Sequence, residues 1–440
     1  MILAANDFRG TSTVSEAIAK RAFLVSLVFL AAAVLFGYGF AVERYQVWPY
    51  EVIHQAARMV KNYAEFGESI PEGRRIRAPE NASREIFTIH DRNRLEEGFY
   101  VFAGWNDEIE QYGAWLYDHR GRLLHTWHFD YYEFDPDGPL NGEEHPHPVY
   151  PMQDGSLLVA FDSGDILVRV DTCSEARWVK HGVYHHSLAR AEDGSFWTWR
   201  GDGTPYGHYH YIENFDPESG ATLRDIRLVE DIIANAGDQS AIFGVRPDFP
   251  WRRWERNPVF LALNDIFHPN DVEVLSSEMA PAFPMFAPGD LLISLRNIDL
   301  VAVLDAQTLG IKWWSQGPWR SQHDPDFTSD GRISVFSNNP DRGRSEILIM
   351  DPGSMEFSND LFDGEVSFYT GTMGKHQYLA NGNVLIVVPD EGRVLEVSPS
   401  GSLVMEFNNL APGSSVHNDH VQDAMWLPAG YFPAMPSCSR

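Results

Sequence analysis

One pattern recurs six times along this chain and limits what it can fold into. A glycine is followed by an apolar strand, a short turn, and a second apolar strand that often ends in Asp. A further turn and a third strand complete the unit. Copies begin at Gly98, Gly155, Gly194, Gly289, Gly331 and Gly382. With the strand that precedes each glycine, every unit has four strands. Four-stranded units in tandem predict an all-β fold, a six-bladed β-propeller with four-stranded blades. The first copy lacks a convincing preceding strand. The segment SVHNDHVQDAMWL at 415–427 resembles HPNDVEVL at 268–275 and supplies one. It is predicted to become the innermost strand of the blade that holds 98–130, which would leave no open sheet edge. A pair of β-sandwiches is the rival reading, and the even repetition from 98 to 428 disfavours it.

Histidine keeps phase with this repeat. His147 (HPVYPMQDGSLLVAF), His186 (HSLARAEDGSFWTW), His268 (HPNDVEVL) and His323 (HDPDFTSDGRISVF) each lead into a turn and a strand. In three of them the turn glycine lies eight residues after the histidine, at Gly155, Gly194 and Gly331. His376 and His417 fall near the same position. Innermost strands of a propeller run beside the central channel, so residues at their starts face one mouth. Loop histidines without a function have no reason to keep repeat phase. Clustered histidines suit either a transition metal or nucleophilic and acid–base work on an anionic group. Arg296 and Asn297 follow the strand LLISL and are predicted to enter the same mouth. An arginine there opposes metal binding and suits a sulfate or phosphate oxygen. No metal and no cofactor are therefore expected.

The formal net charge is −28. A nucleic-acid partner needs a basic face, so that class is disfavoured. Two cysteines, Cys173 and Cys438, allow no zinc spacing and at most one disulfide. Residues 22–41, AFLVSLVFLAAAVLFGYGFA, carry no charge and are long enough to cross a bilayer as a helix. Lys20 and Arg21 before the run favour a cytoplasmic N-terminus over 1–21. A cleaved signal peptide is the rival reading, and both export the rest of the chain to the periplasm or beyond. Residues 49–67 show an apolar stripe (Ile53, Ala56, Ala57, Val60, Ala64) behind Pro49, which predicts a stalk helix within a 42–97 linker. Residues 68–95 read as polar and irregular, and 98–440 as the propeller.

At these residues the chain resembles the bacterial arylsulfate sulfotransferases, exported enzymes that use no nucleotide sulfate donor. The carrying segments are HHSLARAEDGSFW at 185, DIFHPNDVEVL…GDLLISLRN at 265–297, SQHDPDFTSDGRISVFSNNPDRGRSE at 321–346 and HQYLANGNVLIVV at 376–388. The match covers most of 98–428. The resemblance implies a six-bladed propeller that moves a sulfuryl group from a phenolic sulfate ester to another phenol through a histidine. By motif that histidine is His323. His268, Arg296 and His186 map to the other catalytic pocket positions, with His185 adjacent. His185, Asn270, His147, His376 and His417 are the expected substrate-binding residues. Two features depart from the family. An anchor and helix stand where some members carry an N-terminal β-domain, and the usual V-F-D-N-G reads Val335-Phe336-Ser337-Asn338-Asn339.

The expected partners are a small aryl sulfate, a phenolic acceptor and, through the N-terminal helix, a membrane. Trp197, Trp199, Tyr184 and Phe267 are candidates to stack a phenyl ring or to pack a blade. Two other functions stay open on the residues. One is a non-catalytic binding propeller at the cell surface. The other is a metal-dependent hydrolase or lactonase, for which Asn270, Asp271, Asp324, Asn418 and Asp419 offer oxygen ligands. Arg296 with His268 and His323 favours transfer over both.

Overall fold

In a computed structural model of the chain, residues 10–45, 75–138, 145–161, 165–201, 210–243, 267–340, 342–359 and 366–438 are described. The expected stalk helix at 49–67 lies outside them. The chain divides into two compact units, Met1–Ile70 and Pro71–Arg440. In the first, a helix spans Gly10–Tyr45. Its stretch Ile18–Phe40 is 23 residues long and apolar enough to cross a membrane. At 1.5 Å per residue that is about 35 Å, more than a hydrocarbon core needs. A signal sequence would meet the same description.

The repeat glycines explain the second unit locally. Gly155, Gly194, Gly289, Gly331 and Gly382 all sit in tight turns at φ between 82° and 89°. That left-handed region is costly for a side chain and free for glycine. Gly98 serves another purpose. A Cβ there would stand 2.3 Å from Leu427 O on the neighbouring strand. The aspartates that end second strands close turns as well: Asp171, Asp216, Asp305 and Asp351 each accept a backbone N–H two residues on.

Among the described residues the strands form six sheets that match the six copies. The innermost strands are Val421–Pro428, Pro146–Pro151, Val183–Arg190, Pro269–Val274, His323–Phe327 and Lys375–Tyr378, for blades one to six in that order. Each touches the next, and the sixth touches the first, so the ring is closed. Closure comes where the sequence pattern placed it. Val421–Pro428 pairs antiparallel with Gly98–Asn106, from Val421 opposite Gly104 to Pro428 opposite Gly98.

Two strands arise where the sequence reads as irregular. Phe87–Ile89 pairs with Leu403–Asn408 and gives blade six a fifth, outermost strand. Arg75–Arg77 pairs with His417–Asp419 in a separate ribbon. Both are three residues long, too short for alternation to register.

Middle strands such as Leu157–Phe161, Leu291–Leu295 and Val384–Val388 are buried at every residue. Each blade packs a neighbour on both faces, so these strands have no solvent side and read as continuous apolar runs. Six apolar clusters lie between neighbouring blades, anchored by Trp127, Trp199, Trp319, Phe102, Phe336 and Phe196. Innermost strands are polar instead (PHPVYP, HDPDF, KHQY) because they line the channel.

Beyond the closing strand the tail packs Phe432 into the cluster between blades one and two, and Cys438 bonds Cys173 across 265 residues. Such a link constrains the unfolded chain strongly. Cys173→Ser is expected to cost about 2–4 kcal/mol of stability, read as a lower melting temperature than the oxidised parent. Identical melting curves would show that packing alone holds the tail.

Candidate active site

Five of the six blades carry a backbone irregularity near the channel mouth; only blade six pairs its first two strands in regular register. Register between innermost and second strands shifts at Pro146/Val149, His185/Ala189, Pro269/Asp271, His323/Asp326 and Val421/Asp423. A bulge adds a residue and re-aims its side chain. The strain is local and visible: His186 (φ 67°), His268 (φ 46°), Ser321 (φ 51°) and Asp324 (φ 50°) are all left-handed. Non-glycine residues held there cost on the order of 1–3 kcal/mol each and concentrate at functional sites.

The result is a cluster of imidazoles. His186 is its hub, with ring centroids 5.0 Å from His185, 5.1 Å from His268, 5.2 Å from His147 and 6.1 Å from His323. One ring nitrogen from each of His186, His268 and His323 lies within 4.8 Å of the others. Arg296 stands on the 3₁₀ turn Arg296–Ile298 just after its strand, and its N–H donates to His268 O at 3.1 Å. Its charge reaches the His323 ring.

His323 is oriented by its neighbours. Its Nδ1 faces two oxygens, Asn338 Oδ1 at 2.7 Å and Ser321 O at 3.2 Å. The Asn338 amide group donates to Thr370 O at 3.0 Å and Met373 O at 2.8 Å, so its oxygen must point to the histidine. Two acceptors at Nδ1 require a proton on Nδ1. The lone pair is thereby left on Nε2. Asn270 supports the same strand from blade four: its amide donates to Gln322 O at 2.6 Å, while its own Oδ1 is buried without a partner among the described residues.

Burial also sets the charge state. It lowers the His323 imidazole to about 3, assisted by Arg296 and His268. His147, His185 and His186 are held well below the usual range, chiefly by burial and then by nearby cationic or imidazole groups. His268 is the half-buried member. His147, His185, His186 and His323 are therefore neutral imidazoles beside one fixed cation.

Of the residues singled out from sequence, the structure brings His147, His185, His186, His268, His323 and Arg296 together, with Asn270 behind them. It does not bring His376 or His417 there. His376 lies farther along the channel, its Nδ1 on Asp324 Oδ2 at 2.9 Å and its Nε2 on Ser334 Oγ at 2.8 Å. His417 sits in the short ribbon with Arg77, its Nδ1 on Ser414 Oγ at 2.9 Å. In blade one His420 immediately precedes the innermost strand, and burial holds it near 4. Trp199, Tyr184 and Phe267 are fully buried, and Trp199 and Phe267 share one interblade cluster. Sequence reasoning missed His210, whose ring is 5.9 Å from His185, and assigned no role to Asn338. The signal for Asn338 is its place two residues past Phe336, which pairs with His323.

The family model described as arylsulfotransferase (ASST) matches residues 152–410. The chain belongs to this family. That span runs from blade two to blade six and contains His186, His268, Arg296, His323 and Asn338. No curated protein matches the chain. Among solved structures, a protein of unknown function from Bacteroides caccae is 10% identical, with 75% of this chain and 98% of that one covered at a TM-score of 0.46. A putative 6-phosphogluconolactonase from Bacteroides uniformis is 11% identical, with coverages of 80% and 98% and a TM-score of 0.43. A virginiamycin B lyase from Staphylococcus aureus is 10% identical, with coverages of 66% and 87% and a TM-score of 0.35.

In this arylsulfotransferase-family chain the His323 ring is expected to stay neutral, with its proton on Nδ1, from pH 8 down to 5. Nitrogen-15 histidine spectra, assigned with His323→Gln, check this. A titration near 6.5, the ordinary imidazole value, would contradict the burial argument.

Proposed function

We propose that this protein transfers a sulfuryl group from a phenolic sulfate ester to a phenolic acceptor, with His323 Nε2 as the carrier. The observation that carries the reading is the locked tautomer of His323, whose lone pair lies among His186, His268 and Arg296. Neutral imidazole is a competent nucleophile and needs no deprotonation. In the first half-reaction Nε2 attacks sulfur, the N–S bond forms and the S–O bond to the aryl group breaks. The departing phenoxide takes a proton from His268. The sulfurylated ring keeps its Nδ1 proton, and Asn338 Oδ1 and Ser321 O accept that hydrogen bond as the ring gains positive charge. In the second half-reaction a phenol gives its proton back to His268, attacks sulfur and releases His323. Three sulfuryl oxygens carry the negative charge throughout, and Arg296 with His186 supplies fixed positive and donor groups for them.

The propeller is assigned to an oxidising space outside the cytoplasm, with the N-terminal helix as anchor. The Cys173–Cys438 disulfide supports this, since such bonds persist in exported proteins.

A second reading rests on one distance. Three imidazoles with ring nitrogens within 4.8 Å of one another offer a transition-metal site. The Arg296 charge weighs against it.

Assay of a chromogenic aryl sulfate with phenol as acceptor separates the two. His323→Ala should abolish transfer. Arg296→Ala and His268→Ala should slow it by about 10²–10³-fold, the loss seen when one fixed donor to a developing oxyanion is removed. Asn338→Ala should lower kcat by up to about tenfold, the equivalent of one hydrogen bond of about 1.4 kcal/mol. Full activity in His323→Ala would reject the carrier role. Loss of activity in 1,10-phenanthroline, with recovery on adding zinc, would favour the metal reading.

A further inference from the structure

His185 and His186 are consecutive in the innermost strand of blade three, where neighbouring side chains ordinarily point to opposite faces. Here the two rings meet. His185 keeps regular pairing with Trp199, and the register shifts directly after it. His186 takes the left-handed conformation at φ 67°, which breaks the alternation. The two Nδ1 atoms come within 2.9 Å, with ring centroids 5.0 Å apart and planes at 89°. A hydrogen bond between ring nitrogens, not a stack, joins them. Burial holds both imidazoles well below their usual range, so both are neutral. A neutral imidazole carries one proton. The short contact therefore has N–H on one side and a lone pair on the other, and it sets both tautomers at once.

The surroundings decide which ring donates. Neither nitrogen of His185 is open to a ligand. Its Nδ1 is on His186, and its Nε2 is buried with no hydrogen-bond partner among the described residues. Any effect of His185 on a ligand therefore passes through His186. That ring has only Nε2 left to offer, and it is the hub of the imidazole cluster beside His268 and His323. An anion held among His186, His323 and Arg296 needs a donor at that nitrogen, because a lone pair would repel it. If His186 were the donor to His185, two groups would be mismatched. His186 would turn a lone pair to the anion, and His185 would bury an unpaired N–H at Nε2. With His185 as donor only one lone pair, on His185 Nε2, goes unmet.

We propose that His185 is a positioning residue: its Nδ1–H donates to His186 Nδ1 and so holds the His186 proton on Nε2, facing a sulfuryl oxygen. The identity of that anion rests on the sulfuryl-transfer reading, whereas the hydrogen bond and its direction can be read without turnover. The device is the one that fixes His323, with the roles reversed. Asn338 and Ser321 accept from His323 Nδ1 and leave a lone pair on Nε2, as a nucleophile needs. His185 donates to His186 Nδ1 and leaves a proton on Nε2, as a donor to an oxyanion needs. Opposite tautomers thus arise from opposite partners at Nδ1.

Full-length protein with nitrogen-15 histidine is read by nitrogen-15 spectra at neutral pH, assigned with His185→Asn and His186→Gln. His185 should carry its proton on Nδ1 and His186 on Nε2, with a coupling across the hydrogen bond between the two Nδ1 atoms. His186 protonated on Nδ1, or no coupling between the rings, would overturn the proposal. A second arm titrates 4-methylbenzenesulfonate, which presents three anionic oxygens and has no ester bond to break. His185→Leu should weaken its binding about tenfold, the scale of one hydrogen bond. His185→Asn should recover most of that loss, because its amide N–H stands near the Nδ1 position. His185→Gln should not, although it fills more of the site, because its amide stands near Nε2. Equal binding in parent and His185→Leu, or recovery by His185→Gln and not by His185→Asn, would also overturn it. If His185→Leu fails to fold, the parent spectrum and the comparison of His185→Asn with His185→Gln decide. A parent that shows these tautomers but transfers nothing from an aryl sulfate would reject the sulfuryl reading and still support the proposal.

Discussion

Antiparallel pairing of Val421–Pro428 with Gly98–Asn106 is the constraint on which the second unit depends. Middle strands buried on both faces are stable only while a neighbouring blade covers each face. An open ring would expose blade one to water on one side and blade six on the other. Closure depends in turn on a missing side chain, since any Cβ at Gly98 would collide with Leu427 O. The disulfide between Cys173 and Cys438 holds the tail that follows the closing strand. The same closure makes the channel, because only a complete ring brings six strand starts to one axis.

The channel divides into two chemical zones, and the bulges are what separate them. At the mouth, the irregular starts of the innermost strands aim imidazoles inward, and their left-handed residues mark where packing overrides local preference. Low dielectric there keeps the His147, His185, His186 and His323 rings neutral and strengthens the field of Arg296. Farther along, regular alternation resumes and carboxylates face the axis. Asp324 joins the zones: it follows His323 directly and holds His376 with two hydrogen bonds. A change in the carboxylate zone therefore acts on the backbone beside His323.

Much of this was legible in the sequence, for identifiable reasons. Five turn glycines at positive φ recur because no other residue fits well, and with Gly98, kept by close strand contact, they revealed six blades. Histidine phase survived because strand starts are geometrically equivalent in a propeller. The failures have physical causes too. His417 was read as the start of the closing strand, but residues 417–419 pair with Arg75–Arg77 and the innermost strand begins only at Val421. In blade six Lys375 opens the strand, so His376 is its second residue and turns toward Ser334 and Asp324 instead of the mouth. Asn338 was hidden because it acts through a contact between adjacent strands, and motif order says nothing of which atom faces which. The strands at 75–77 and 87–89 were invisible because three residues carry no period.

Where the sulfuryl group rests between donor and acceptor decides the role of His323. Protein exposed to an aryl sulfate without acceptor should release one equivalent of phenol in a rapid burst. Digestion at neutral pH should then place one added sulfuryl mass on the peptide spanning His323, and that mass should vanish when phenol is supplied. A burst with no adduct, an adduct on another residue, or an adduct that phenol does not discharge would contradict the assignment of His323 as carrier.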